Sequence, residues 1–232
     1  MQRYDPLDEA GWQKVIGVGA LLQHLTKSAS PRKLRLLLAA CVRHSFPPSP
    51  DADMIAAAHV AEQFADGKAD SKDLGQVRRA LAKSQPARGE RWAPKYTENI
   101  KTVPAWHVLR ETIFTAVYEG AQTSGWSTTR KKDPSGGVIA DFPEKECAAQ
   151  ADLLRDIFGN PFRPIALNPR WLTSNVVDLA GAIYEERAFE RMPILADALM
   201  DAGCDSEEII AHCRGNGPHV RGCWVDLLLS KE

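Results

Sequence analysis

Apolar residues recur every three or four positions along most of this chain, and the strict alternation of a half-buried strand is nearly absent. The clearest stretch follows Ser30-Pro31, a helix start signal, and places four apolar side chains on one face: Leu34, Leu37, Leu38 and Cys41. The pattern therefore predicts an all-α protein, an irregular multi-helix bundle of roughly nine to ten helices with short connections.

Helix start and stop signals are densest in the C-terminal third of the chain. Prolines at 143 and 193 predict helix starts, Gly159 predicts a left-handed helix end, and Gly203 predicts the end of the helix that begins at Pro193. Asp205 and Glu208 resemble a capping box for the helix that follows them. The pattern predicts a last helix that begins at Val220 and carries Trp224.

Two segments rich in helix breakers interrupt the helical pattern. Residues 83–103 are polar and contain three Pro or Gly residues that indicate an extended surface connection: Pro86, Gly89 and Pro94. Residues 122–140 combine Gly, Ser and Lys without an apolar stripe, which predicts a mobile loop. We predict one all-α domain over residues 1–232, with an N-terminal lobe at about 1–121, the mobile loop at about 122–140 and a C-terminal lobe at about 141–232. Whether the two lobes are separate stays open.

Charge is almost balanced over the whole chain but unevenly distributed. The net charge is −1, whereas residues 78–101 hold seven Lys or Arg against two Glu, and residues 185–208 hold eight acids against two Arg. The basic segment also contains exposed-looking aromatics, so we predict an interaction surface made of Arg88, Arg91, Trp92, Lys95 and, from the second breaker-rich segment, Trp126. The alternatives are binding of nucleic acid by the same segment and a merely solvated linker. Near-neutrality disfavours nucleic acid.

Cysteine usage and the N-terminus bear on the cellular compartment. The five cysteines are odd in number, and two of them, Cys41 and Cys147, fall in apolar helical patterns, which is typical of reduced thiols. The first residues lack the apolar run of a signal peptide, and no apolar run reaches membrane-spanning length. We therefore predict a cytoplasmic protein without a membrane partner.

The densest chemistry lies in a Cys/His block with the spacing Cys204-x7-His212-Cys213-x5-His219-x3-Cys223. Adjacent helical residues point about 100° apart, so all five side chains cannot bind one ion. A smaller set can, and we predict Cys213, His219 and Cys223 as candidate metal ligands, with a fourth ligand from His212 or elsewhere. The alternative is that the cysteines are small buried apolar residues, which free cysteines usually are.

The glycine-rich part of this block permits a second kind of site. Arg214, His219 and Arg221 surround Gly215 and Gly217 just before a predicted helix start, where backbone amides attract anions. The alternative is a tight turn between helices, because no Walker-type lysine follows the glycines. A thiol beside His219 could also act as a nucleophile, but no catalytic signature surrounds it, and we assign no catalytic residue.

Four blocks of the sequence carry a resemblance to other proteins. They run from Lys33 to Arg43, Leu154 to Pro164, Ile194 to Leu199 and His212 to Trp224. Together they resemble a large family of uncharacterised paralogous proteins from planctomycete bacteria, over most of the chain except residues 84–140. The chain departs from the family at Val42-Arg43-His44, where a second Cys and more Arg are expected. The family has no known function, so the resemblance implies a bacterial origin and assigns no activity.

The sequence thus favours a non-catalytic protein-interaction module whose protein partner and pathway it does not identify. The alternatives are a nucleic-acid-binding accessory protein that uses residues 78–101 and a zinc-stabilised domain that uses the Cys/His block. No cofactor is predicted apart from zinc in the last alternative.

Overall fold

The computed structural model describes residues 7–14, 18–25, 29–45, 52–84, 130–132, 138–140 and 144–229. The chain divides into two compact units, residues 1–151 and 152–232. Apart from one short ribbon, the regular elements of the described residues are helices, which confirms the all-α class. The number of helices in the whole chain stays a prediction, because residues 85–129 lie outside the described ranges.

Among its described residues, the first unit has five α-helices, the beginning of a sixth and the ribbon. The helices are α1 (Glu9–Lys14), α2 (Val18–Leu25), α3 (Pro31–Ser45), α4 (Ala52–Ala65) and α5 (Ser71–Ser84). The ribbon pairs β1 (Arg130–Lys132) antiparallel to β2 (Val138–Ala140), with Lys131 opposite Ile139. The ribbon falls within residues 122–140, and the rest of the predicted mobile loop lies outside the described residues.

Helix α3 begins where the sequence predicts it. The Ser30 hydroxyl accepts a hydrogen bond from the Lys33 amide at 3.2 Å, which satisfies one amide that the first turn leaves without a helical partner. The predicted apolar face is buried, with Leu37 and Cys41 fully inaccessible. Helix α3 packs mainly against α4. Burial of each such leucine contributes about 1.5–3 kcal/mol.

The second unit begins in the last turns of α6 (Glu144–Phe158), a helix that crosses the boundary between the units. It continues with α7 (Ser174–Glu186), α8 (Met192–Asp201) and α9 (Glu207–Arg214). Three short 3₁₀ turns link or follow these helices, at Pro169–Trp171, Phe189–Arg191 and Trp224–Leu229. Gly159 and Gly203, which the sequence predicts at helix ends, have positive φ angles of 65° and 83°.

The core of the second unit is built from the facing sides of α7, α8 and α9. Its most buried members include Val176, Leu199 and Ile209, and Trp224 of the last 3₁₀ turn packs with them. Since α9 has only eight residues, it depends on this packing rather than on intrinsic helix stability. The core therefore fixes where the end of α9 points.

Two local predictions are wrong. The cap of α9 is Ser206 rather than Asp205, because the Ser206 hydroxyl accepts a hydrogen bond from the Ile209 amide at 3.4 Å. The last element is a 3₁₀ turn from Trp224 rather than a helix from Val220, because Gly222 has a φ of 93°, which breaks a helix there.

None of the helices in the described part of the chain combines the length and the apolar character that crossing a membrane requires. The cytoplasmic location stays a prediction.

Candidate metal centre

Four side chains capable of binding a metal converge in the second unit: Asp156, His212, His219 and Cys223. One potential ligand atom from each lies within 4.8 Å of the others. They come from the end of α6, the last turn of α9 and the loop that follows α9, so residues 67 positions apart meet at one point. Asp156 and Cys223 are buried, and the two histidines are nearly so.

Asp156 contacts both histidines of the cluster. Its Oδ1 lies 3.0 Å from His219 Nδ1 and 3.6 Å from His212 Nε2, and its Oδ2 accepts a hydrogen bond from the Val220 amide at 3.0 Å. Burial raises the pKa of the Asp156 carboxyl, and the contacts with His219, Val220 and Cys223 offset this only in part. A buried carboxylate among these partners therefore needs a positive charge beside it, either a proton or a metal ion.

His219 presents its Nδ1 to the cluster. Its other nitrogen, Nε2, lies 3.4 Å from the Gly215 carbonyl oxygen, which can only accept a hydrogen bond. Burial lowers the pKa of His219, but the hydrogen bond and charge of Asp156 outweigh burial, so the pKa is raised overall. A carbonyl that holds the proton on one ring nitrogen leaves the other free for a metal, as in many metal-binding histidines.

His212 approaches the same point from α9. Its Nε2 is 2.9 Å from Cys223 Sγ. Its Nδ1 accepts a hydrogen bond from Trp224 Nε1 at 3.0 Å. Burial, with a further contribution from His219, lowers the pKa of His212 to about 3, so this ring is neutral. Neutral imidazole is the form that binds metals.

The loop between α9 and Cys223 is fixed from two sides. On one side the Val220 amide binds Asp156. On the other side the buried Arg221 side chain donates to the carbonyls of Tyr184 and Glu185, at 3.2 and 3.0 Å. These carbonyls belong to the last turn of α7, where a helix leaves carbonyls unpaired and its dipole favours a cation. Val220 and Arg221 lie between His219 and Cys223. Because both are anchored, His219 and Cys223 are held toward Asp156.

Three of the six distances between the ligand atoms can be compared with those around a tetrahedral ion. Ligand atoms around one zinc lie roughly 3.3–3.7 Å apart, given metal–ligand distances of about 2.0–2.3 Å. The contacts of His212 with Asp156 and Cys223 are 3.6 and 2.9 Å, and the His219–Asp156 contact is 3.0 Å. Binding of zinc would lengthen the two shorter distances, His212–Cys223 and His219–Asp156, by about half an ångström. Small rotations of the side chains can supply this change.

Of the predicted metal ligands, the structure brings His219 and Cys223 together and leaves Cys213 elsewhere. Cys213 is fully buried in the apolar core of the second unit. Burial, followed by the nearby Cys204 thiol, raises the pKa of Cys213 to about 12. A thiol in that environment stays protonated, and it is the thiolate that binds metals. His212, which the sequence left as an open fourth ligand, is within the cluster.

The three residues of the predicted anion site have separate partners. Arg214 is half exposed and pairs with Asp197 at 2.6 Å, and Arg221 is buried against the end of α7. His219 faces Asp156. Each of the three side chains therefore has its own contacts, and anion binding at this turn stays a prediction.

The predicted interaction surface lies outside the described residues, so Arg88, Arg91, Trp92, Lys95 and Trp126 stay predictions. Sequence reasoning missed Asp156, which lies on helix α6, 56 positions before His212. The only signal was a carboxylate on a face otherwise occupied by Leu153, Leu154 and Ile157, all buried. A charged residue on such a face is rarely left without a specific partner.

Comparisons with known proteins add no relative: no family model matches the chain, and no curated protein or solved structure matches it. The resemblance to planctomycete paralogues stays a prediction.

Proposed function

We propose that the C-terminal unit is a zinc-binding helical domain, with Asp156, His212, His219 and Cys223 as the ligands. The observation that carries the proposal is the convergence of these four side chains within 4.8 Å. The donor set supports zinc in particular. A thiolate with two imidazoles disfavours magnesium and calcium, which prefer oxygen ligands, and such N and S donors suit zinc.

The burial of the ligands supports a structural role for the ion. A catalytic zinc keeps one coordination position open to water or substrate, whereas a structural zinc has four protein ligands. All four side chains here are less than one-fifth exposed. The metal would join the end of the first helix of the unit to its last loop. Zinc bound there would stabilise the fold of the unit.

In this proposal the whole chain, with its roughly nine to ten helices, is a cytoplasmic, non-catalytic protein-interaction module. One observation in the described region supports an interaction role: Ile194 and Met200 of α8 are about half exposed, at 55% and 48%. They flank Asp197 on a helix that also exposes Asp201. Exposed large apolar side chains of this kind are typical of contact surfaces.

The direct test is metal content. Protein purified under reducing conditions and then dialysed with a small excess of zinc should retain one zinc per chain by mass spectrometry of the metals. Cys223→Ser should retain none, because the thiolate is lost from the cluster. Cys213→Ser is the matched control, since it makes the same change one position after His212 and should retain the full zinc.

The result separates the proposal from its rivals. Loss of zinc in both Cys213→Ser and Cys223→Ser, with both variants folded, would restore the ligand set predicted from spacing alone. Wild-type protein without bound zinc would refute the proposal. Circular dichroism of each variant tells failure to fold from failure to bind.

A further inference from the structure

Trp224 occupies a position in direct contact with the candidate metal centre. Its indole is only 8% exposed and lies against His212, with ring centroids 4.5 Å apart. Its Nε1 lies 3.0 Å from His212 Nδ1. An indole N–H can only donate a hydrogen bond, so Nδ1 must accept it through its lone pair.

That hydrogen bond determines which nitrogen of His212 carries the proton. A neutral imidazole has one N–H and one lone pair. With the lone pair on Nδ1 engaged by Trp224, the proton is on Nε2, and it points toward Cys223 Sγ at 2.9 Å and Asp156 Oδ1 at 3.6 Å. Nε2 is the same nitrogen that would bind the metal.

Metal binding at Nε2 requires the opposite arrangement. The ion takes the lone pair of Nε2, and the proton of the neutral ring then resides on Nδ1. Nδ1–H would face the indole N–H at 3.0 Å, two donors without an acceptor. Since an unsatisfied buried donor is costly, the indole has to leave this position when His212 binds metal.

The other histidine of the cluster lacks this conflict. His219 Nε2 faces the Gly215 carbonyl oxygen at 3.4 Å, so the proton is already on the nitrogen that points away from the cluster. A metal ion would replace the proton between His219 Nδ1 and Asp156 Oδ1, which are 3.0 Å apart, and the proton on Nε2 would stay in place. The two histidines therefore differ in how well they are prepared for binding.

We propose that Trp224 regulates the metal centre: its indole holds His212 in the tautomer that cannot bind, and it is displaced when the metal binds. The inference rests on the proposed zinc site. Trp224 is the first residue of the C-terminal 3₁₀ turn Trp224–Leu229, so occupancy of the site is coupled to the position of that turn.

The effect on affinity follows from the hydrogen bond that must be broken. Trp224→Phe keeps an aromatic ring in the core and removes the indole N–H. It should therefore tighten zinc binding by about two- to tenfold, the range expected for one ordinary hydrogen bond. Trp171→Phe is the matched control, because Trp171 is equally buried in the same core. It should leave the zinc Kd unchanged.

A second measurement follows the indole N–H signal of Trp224 in the wild-type protein and uses Trp224→Phe only to assign that signal. The chain has six tryptophans, and the indole N–H signal of Trp224 is the one missing from the NMR spectrum of Trp224→Phe. Adding zinc should shift this signal strongly. The ¹⁵N signals of His212 should at the same time change from the Nε2–H to the Nδ1–H tautomer, which a merely structural role of Trp224 would not produce.

The outcomes distinguish this inference from the function on which it rests. If wild type and Trp224→Phe both fail to bind zinc, the proposed function is refuted, and with it the inference. If both bind with equal affinity and the Trp224 signal stays in place, the zinc site stands and the inference is wrong. Weaker binding by Trp224→Phe would show that the indole holds His212 ready for the metal, and it would also overturn the inference.

Discussion

Each unit contains a buried carboxylate among its described residues, and the two carboxylates are neutralised in different ways. In the first unit, Glu62 is 2% exposed and accepts two hydrogen bonds from Arg43, at 3.1 and 3.2 Å. In the second unit, Asp156 is 6% exposed, and its ion-pair partners among the described residues are His212 and His219.

The difference lies in whether the compensating charge is permanent. An arginine stays protonated at any physiological pH, so the Glu62 pair is complete from the chain alone. A histidine is charged only after it takes up a proton, and its neutral form binds metals. The Asp156 cluster is therefore completed by a proton or by an ion from solution. The first arrangement suits a permanent structural contact, and the second suits a site that responds to a ligand.

Zinc binding should have the largest effect on the difference in stability between the two units. Zinc at about a thousand times its Kd should raise the free energy of unfolding of the second unit by about 4 kcal/mol, because it binds only the folded site. Hydrogen exchange should then slow in α9 and leave the rate in α3 unchanged. A chelator should reverse the change, and Asp156→Asn should abolish it. Equal slowing in α3 and α9 would contradict the assignment of the metal to the second unit.

Removing the arginine partner of Glu62 should have the next largest effect. Arg43→Met leaves Glu62 buried without its main counter-charge, which should lower the free energy of unfolding by about 3 kcal/mol. The loss should be the same with zinc and with chelator, as measured by urea unfolding. Arg191→Met is a control, since Arg191 and Glu186 form an exposed pair. A loss below about 1 kcal/mol would mean that Glu62 is sufficiently stabilised by other contacts.

The sequence predicts the fold class and many helix ends but only half of the metal centre. Ser30-Pro31, Gly159 and Gly203 act through local backbone geometry, so a short window of sequence is enough to interpret them. His219 and Cys223 are close in sequence and were found by their spacing. Asp156 joins them only through packing of α6 beside the loop, a long-range contact that no local pattern encodes.

Cys213 illustrates the same limit. It follows His212 directly, and spacing alone cannot tell which of two neighbouring helical residues faces the site. The core decides: Cys213 points into the apolar cluster with Ile209 and Leu199, and the preceding residue, His212, points toward Asp156. The direction in which α9 presents its residues is thus a product of tertiary packing.

A pair of glycines tests how closely the core is packed beside the metal centre. Gly159 and Gly203 both have positive φ, so alanine at either position costs about 1–2 kcal/mol of backbone strain. A methyl group at Gly159 would also lie 3.3 Å from Trp224 Cγ, whereas nothing lies within 4 Å at Gly203. Gly159→Ala should therefore lower the free energy of unfolding by about 1 kcal/mol more than Gly203→Ala in thermal unfolding. Equal losses would show that the Trp224 indole moves away from the added methyl group at little energetic cost.

The smallest expected effect belongs to an exposed ion pair near the metal centre. Arg214 and Asp197 are 2.6 Å apart, but their side chains are 48% and 66% exposed, so water screens the pair. Arg214→Met should change the free energy of unfolding by no more than about 0.5 kcal/mol. It should also leave zinc stoichiometry at the wild-type value, because the Arg214 guanidinium contacts Asp197 and Met200, neither of which is a proposed ligand. The same variant tests the anion site predicted from the sequence. If phosphate raises the melting temperature of the wild type and this rise is lost in Arg214→Met, the glycine-rich turn binds anions after all. If phosphate has no effect on either protein, the glycine-rich turn does not bind phosphate, and the Arg214 charge has no role in anion binding there.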